Sequence, residues 1–351
     1  MHSVAVDEAG TVWAWGNNAL GQLGVGLSTV QSASPLKVPG LPAIVQVAAG
    51  ANHVLALASD GTVWAWGSDG GGQVGPNGTG DPLQPQRTPV KVDGVVGAKA
   101  VVAAGNQSLA LLNDGKVMAW GLNVDGELGQ GTFTAGSAVP TEVPGLMDVV
   151  ALAAGGTGAG GHVLALTSSG TVWAWGSNRS GQLGADIAYP ALATPVEVPG
   201  IATATEVAAG SAFSLALLDD GTVVAWGANS VGQLGRGATT PAFALAPAPV
   251  AGVSGVAHLA AGLQHVLALR TDGTVVAWGG NGMGQLGRGT TAGYSPDAQP
   301  VVALPEATTI AAGAYHSLAI TSGLWGWGSN LTAQLAGTDT ASNRGTPAAI
   351  W

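Results

Sequence analysis

A single dipeptide punctuates this chain from one end to the other. Trp-Gly recurs at Trp15-Gly16, Trp66-Gly67, Trp120-Gly121, Trp175-Gly176, Trp226-Gly227, Trp278-Gly279 and Trp327-Gly328, at intervals of 49 to 55 residues. Seven regular copies of a unit that long point to a repeat architecture, because one unit cannot bury its own apolar face and must stack on its neighbours. One copy reads as four short runs. Ile44 to Gly50 is apolar and ends in small residues, and His53 to Leu57 follows. Asp60-Gly61 favours the positive backbone angles of a tight hairpin, and Thr62 to Trp66 is the third run. A polar loop with Gly72-Gln73-Val74-Gly75 then leads to Arg87 to Val92, an edge-like run that tolerates Pro89.

Each run is short, β-branched or aromatic, and bounded by turn formers, which suits a strand and not a helix. Four antiparallel strands per unit, seven times over, predict an all-β fold: a seven-bladed β-propeller of four-stranded blades. It would form a single domain over residues 1–351, with blades centred on the seven tryptophans of the Trp-Gly pairs. The runs are apolar on both faces, as blades stacked face to face require. Small Ala-Ala-Gly ends suit the crowded axis. Trp13 and Trp15, two residues apart, project to one face of their strand and are expected to pack between blades.

The ends of the chain break the pattern. The inner strand ending in Val-, Leu- or Ile-Ala-Ala-Gly occurs six times. The chain starts at the second strand of blade one, His2 to Val6, and ends at the outer strand of blade seven, Pro347 to Trp351. One blade is therefore expected to be closed by both chain ends. The missing inner strand implies either a chain that continues beyond these residues or a blade of three strands.

Composition narrows the function classes. Ten Lys and Arg against 20 Asp and Glu give a net charge of −10, with no basic run. That argues against a nucleic-acid or anionic-membrane partner, since phosphate is met by clustered cations. Charged residues are only 9% of the chain, yet 12 Trp and a 46% hydrophobic content exclude a disordered linker. There is no cysteine, which removes disulfides and thiolate metal sites. The longest charge-free stretch, Gly237 to Leu269, is broken by Pro241, Pro247 and Pro249 and cannot be a spanning helix. The Ala-, Gly- and Val-rich composition is that expected of a high-GC bacterial source, with the cytoplasm, secretion or the cell surface all compatible.

The unit resembles the regulator of chromosome condensation repeat. The likeness rests on Val63-Trp64-Ala65-Trp66-Gly67, Gly181-Gln182-Leu183-Gly184, Thr194-Pro195-Val196 and Val207-Ala208-Ala209-Gly210, and it runs over essentially the whole chain. It implies a seven-bladed propeller and a face that contacts a protein, a GTPase or a β-lactamase in similar proteins. The basic tail and exchange wedge of the nucleotide-exchange members have no counterpart here, and neither does the Gly-Trp-Arg-His-Thr signature of the plant ultraviolet receptor.

Histidine placement is the most informative polar feature. His2, His53, His162, His265 and His316 open the second strand in five blades, with Ser108 and Phe213 in the other two. Such side chains would form a ring at one end of the channel, where imidazoles can bind a divalent metal or act as a general base. The competing structural expectation is that each histidine ties down its own turn. Variable residues just before the second strands, Asn52, Gln107, Gln264 and Tyr315, together with Phe213 of blade five, form a candidate binding rim. Thr157 joins them from an insertion in blade four, Gly156-Thr157-Gly158-Ala159-Gly160-Gly161, which reads as a lip over the channel mouth. This run contains G-x-G-x-x-G, but a strand follows it where a dinucleotide site needs a helix. Asp125-Gly126-Glu127 replaces the usual Gly-Gln pattern in blade three, while Asp60, Asp114, Asp220 and Asp272 are hairpin-turn residues and Asp81, Asp186 and Asp297 lie in outer loops.

Two functional readings follow. The first is a non-catalytic recognition or scaffold propeller that binds a protein or other macromolecule through one rim, with no cofactor. The second is an ester or phosphoester hydrolase with His53, His162, His265 or His316 at the channel mouth, assisted by a divalent metal. A structural module of a larger protein is a third.

Overall fold

The computed structural model describes residues 1–158, 160–185, 189–291, 293–337 and 342–351. Among these residues there are only strands, turns and bends, and the strands form seven antiparallel sheets in chain order. Blade two is typical. Its inner strand Ile44–Ala49 is followed by His53–Ala58, Val63–Gly67 and the outer strand Gln86–Lys91. Blade one has three strands, His2–Val6 (β1), Val12–Asn17 (β2) and Gln31–Lys37 (β3), ordered β1-β2-β3. The other six sheets have four strands each.

The Trp-Gly pair has a specific backbone role. In each blade the register between third and outer strands slips across the tryptophan, between Ala14 and Gly16 in blade one and between Ala65 and Gly67 in blade two. The glycine of the pair sits at φ near +100°, as at Gly16 (98°) and Gly67 (107°). A glycine with positive φ at a β-bulge re-aims the neighbouring side chain. Space also requires it, since a Cβ on Gly67 would lie 2.4 Å from the Asn52 carbonyl oxygen.

The re-aimed indole joins the blades. Trp15, Trp66, Trp120, Trp175, Trp226, Trp278 and Trp327 are all fully buried. Each donates its Nε1–H to a backbone carbonyl in the polar loop of the preceding blade, for example Trp66 to Gln22 (3.0 Å), Trp120 to Gln73 (3.0 Å) and Trp226 to Gln182 (2.9 Å). A buried indole needs such an acceptor. Around it the core is shared: Leu55, Val63 and Ala65 of blade two pack with Val101, Ala110 and Trp120 of blade three. The expected inter-blade packing of the tryptophans is what the structure shows.

Ring closure differs from expectation. The two chain ends do not share a sheet: Arg344–Ala349 pairs only with Leu324–Gly328 of blade seven, and β1 pairs only with β2. Among the described residues no strand pairs with the other edge of β1. Blades seven and one are instead joined as the others are. Trp15 Nε1 donates to the Gln334 carbonyl at 2.9 Å, Ser3 Oγ donates to the same carbonyl at 2.8 Å, and Thr332 Oγ1 donates to the Met1 carbonyl at 2.9 Å.

Candidate functional site

The position that opens the second strand is fixed by pairing. His2 faces Gly16, His53 faces Gly67, His162 faces Gly176, His265 faces Gly279 and His316 faces Gly328. In blade three the residue facing Gly121 is Gln107, not Ser108, and in blade five Phe213 faces Gly227. Ser108 belongs to the next position along. The expected alignment of blade three was one residue out, because a Ser-Leu-Ala run resembles His-Val-Leu in hydropathy.

That correction exposes a rule. His53 Nε2 lies 2.9 Å from Ser108 Oγ, His162 Nε2 2.8 Å from Ser214 Oγ, His265 Nε2 3.0 Å from Ser317 Oγ and His316 Nε2 3.1 Å from Ser3 Oγ. In every case the serine is in the following blade. Each imidazole therefore ties two blades together and does not fasten its own turn. Each serine hydroxyl donates onward to a backbone carbonyl at 2.8 Å, at Gln73, Gln182, Gln285 and Gln334 respectively. These are the same carbonyls that receive the indoles. With its only hydrogen committed, the serine oxygen accepts from imidazole Nε2–H, which leaves Nδ1 unprotonated.

The inner strand covers the other side of the ring. A Cβ on Gly50 would meet His53 Cε1 at 2.2 Å, and Gly262 and Gly313 stand in the same relation to His265 (2.2 Å) and His316 (2.0 Å). The glycine of Ala-Ala-Gly thus makes room for an imidazole as well as for the axis. Burial pulls the His53, His162 and His316 imidazoles down to about 4 and His265 down to about 3. They are neutral at physiological pH. His2, likewise buried, is pulled down to about 3.

An axial cavity of about 340 Å³ is lined by the inner-strand ends, by Gly156 and Thr157 of blade four, and by two imidazoles, His2 and His316. His53, His162 and His265 do not line it. Buried and hydrogen-bonded at Nε2, they present no nitrogen to a substrate at the channel mouth. Among the described residues no three His, Asp or Glu side chains cluster as a metal site.

The candidate rim residues divide. Thr157 and Gln264 are exposed, and Asn52 and Tyr315 are half-buried at the surface. Gln107 and Phe213 are buried: Gln107 Nε2 reaches the Gly155 carbonyl at 3.4 Å, and Phe213 fills the place of an imidazole against Gly210. Neither lies on the rim. Asp186 is outside the described residues, as is Ala159 of the lip.

Glu127 is a site residue whose contacts the sequence did not disclose. It stands where other blades place the loop glutamine, and it is buried. One carboxylate oxygen accepts from the Asp125 amide at 2.8 Å, and the other from Gly160 and Gly161 of the lip at 3.4 Å each. Burial raises its pKa despite these bonds. Asp125, also buried, pairs with the exposed Arg179 at 3.0 Å. The departures of blade three, Gln107 and Glu127, are therefore the seat of the blade-four insertion. Their shared location in chain order was the signal available.

Comparison with known proteins gives one consistent picture. The family model described as "Regulator of chromosome condensation (RCC1) repeat" matches residues 9–57, 60–112, 114–165, 169–217, 220–269 and 272–320. The mitochondrial RCC1 domain-containing protein RUG3 of Arabidopsis thaliana is 30% identical, over 92% of this chain and 78% of that protein. The ultraviolet-B receptor UVR8 of the same plant is 29% identical, over 95% and 76%. Among solved structures, Prp20p of Saccharomyces cerevisiae, described with its binding properties to Gsp1p and histones, superimposes with a TM-score of 0.85 at 25% identity, covering 99% of this chain and 87% of that one. Yeast RCC1 (Prp20) bound to Kap60 gives 0.84 at 27% identity, covering 97% and 83%.

Proposed function

Since this chain belongs to the regulator of chromosome condensation repeat family, we propose that it is a non-catalytic recognition propeller that binds a protein partner through the rim carrying Asn52, Thr157, Gln264 and Tyr315. The observation that carries this reading is the fate of the histidines. Chemistry at the channel mouth would need free imidazole nitrogens, and four of the five rings are spent on holding blades together. The rim loops between them keep the accessible side-chain variety, as recognition surfaces on rigid scaffolds do. Prp20 supports the reading by analogy, since its solved structures are described with Kap60, Gsp1p and histones as partners. The hydrolase alternative draws support from neither the geometry nor the relatives.

The test is affinity capture from source cells with the intact chain and with Thr157→Arg, Gln264→Arg and Tyr315→Ala variants. A specific protein should be retained by the parent and lost by at least one rim variant whose thermal midpoint is unchanged. Retention by all rim variants, or a parent that retains nothing, would refute the rim assignment.

A further inference from the structure

The seam between blades three and four differs from the next two. In blades four, five and six the third residue of the outer strand rests on a glycine of the preceding blade's polar loop: Ala193 of Ala191–Glu197, Leu245 of Phe243–Pro249 and Pro296 of Tyr294–Pro300. A Cβ on Gly126 would lie 2.6 Å from Ala193 Cα, one on Gly181 2.7 Å from Leu245 Cδ2, and one on Gly232 2.5 Å from Pro296 Cα. Leu245 and Pro296 thus set a branched chain and a ring into their seams, whereas Ala193 sets only a methyl group. A groove of about 530 Å³ runs beside Ala193.

Two aromatic rings line that groove, Phe133 from blade three and Tyr189 from blade four, and they are 58% and 68% exposed. Large rings left open around a cavity mark an interaction site, where scattered surface apolar residues do not. A charged pair lies with them. Asp125, which is buried, holds the exposed Arg179 at 3.0 Å, and its own amide is fixed by Glu127 at 2.8 Å. The same two loop positions carry Ala19-Leu20, Gly70-Gly71, Ser230-Val231, Gly282-Met283 and Leu331-Thr332 in the blades that lack the pair. The pair is thus a joint departure of two neighbouring blades. A guanidinium oriented by one buried carboxylate presents its remaining donors outward, and such a fork receives a second carboxylate.

We propose that this groove binds an extended, proline-containing segment of a partner protein that carries Asp or Glu beside its prolines. Proline is read from the seam of blades five and six, where the Pro296 ring stands at the strand position that Ala193 leaves open. Exposed aromatic rings suit such a ligand, because a polyproline II segment is preformed, has no internal hydrogen bonds and docks on aromatic faces. The acidic flank follows from charge complementarity: the accessible charge in the groove is the Arg179 guanidinium, since Asp125 is buried. None of Asn52, Thr157, Gln264 and Tyr315 lines the groove, so this site and the proposed rim can fail separately.

The test uses the 351-residue chain and end-capped, fluorescein-labelled peptides with the core Ala-Pro-Pro-Ala-Pro-Pro-Ala, flanked at both ends by Glu-Glu, Gln-Gln or Lys-Lys, read by fluorescence polarisation. The Glu-flanked peptide should bind saturably and most tightly, and its counterpart with serine for every proline at least about tenfold more weakly. Phe133→Ala and Tyr189→Ala should each weaken the Glu-flanked peptide by about tenfold or more without moving the thermal midpoint, because both rings are exposed. Arg179→Gln should bring the Glu-flanked and Gln-flanked peptides to equal affinity, while Thr157→Arg and Gln264→Arg should bind both as the parent does. Absence of saturable binding, tightest binding of the Lys-flanked peptide, or parental affinity in both aromatic variants would overturn the proposal. So would self-association of the chain that Tyr189→Ala abolishes, which would give the groove to a second copy. If Arg179→Gln lowers stability by stranding Asp125, the parent still decides the charge preference through the three flanks.

Discussion

At the junction of blades four and five, His162 bonds Ser214, and Ser214 and Trp226 both donate to the Gln182 carbonyl. One junction further, Phe213, Val266 and Trp278 occupy the same three places, and the Gln233 carbonyl receives only the indole at 3.0 Å. The indole bond is thus common to both junctions, and the imidazole–serine pair is an interchangeable insert. Polar pairing and apolar packing fill the same volume, provided that both members change together. A buried donor left alone costs more than replacing both partners by apolar groups.

Tryptophan is where the two junctions should agree. Trp226→Ala and Trp278→Ala should each destabilise by about 3–5 kcal/mol, the usual cost of emptying so large a core site, read from denaturant unfolding. A much smaller loss at one of them would show that the indole is not the common element.

Acid should separate them. The histidine pKa values lie below the unfolded value near 6.5, so the unfolded state binds more protons between that pH and about 4. Stability from neutral imidazoles is thus complete above pH 6.5 and is lost as pH falls toward about 4, by roughly 3 kcal/mol per histidine at the acid limit. His162→Phe combined with Ser214→Val should flatten that slope, measured as the thermal midpoint against pH. An unchanged slope would sever the link between imidazole burial and acid sensitivity. The buried Glu127 works in the opposite sense, since its raised pKa lets protonation relieve the native state as pH falls.

A double-mutant cycle at the same pair sharpens the comparison. Ser214→Val alone strands His162 Nε2–H and should cost about 1–3 kcal/mol; adding His162→Phe should recover most of it. Simple additivity would contradict the interchangeable insert. The smallest effect is expected at the lip. Glu127→Gln should change stability by less than about 1 kcal/mol, since the lost carboxylate bonds are offset by relief of a buried charge. It should nevertheless speed amide exchange at Gly160 and Gly161, and unchanged exchange there would place the lip under other control.

The architecture was legible because its determinants are local and periodic. The Trp-Gly spacing marks a bulge that each blade needs, and the turn and strand residues lie within a few positions of it. The junction chemistry was not legible in the same way. His53 and Ser108 are 55 residues apart, and His316 and Ser3 are separated by 313, so no window shows them as partners. Identical imidazoles in five blades looked like a shared site, whereas repetition arises because each blade meets the same neighbour. Gln107 and Phe213 looked accessible for a related reason: their burial depends on a glycine of another strand, which hydropathy does not register.

The most direct test of the junction account is the state of the imidazole nitrogens. Nitrogen-15 spectra of histidine-labelled protein, taken from pH 7.5 down to the onset of unfolding, should show His53, His162, His265 and His316 as neutral Nε2–H tautomers that do not titrate near 6.5. Nδ1–H tautomers, or a titration of these four at the value of free imidazole, would contradict it.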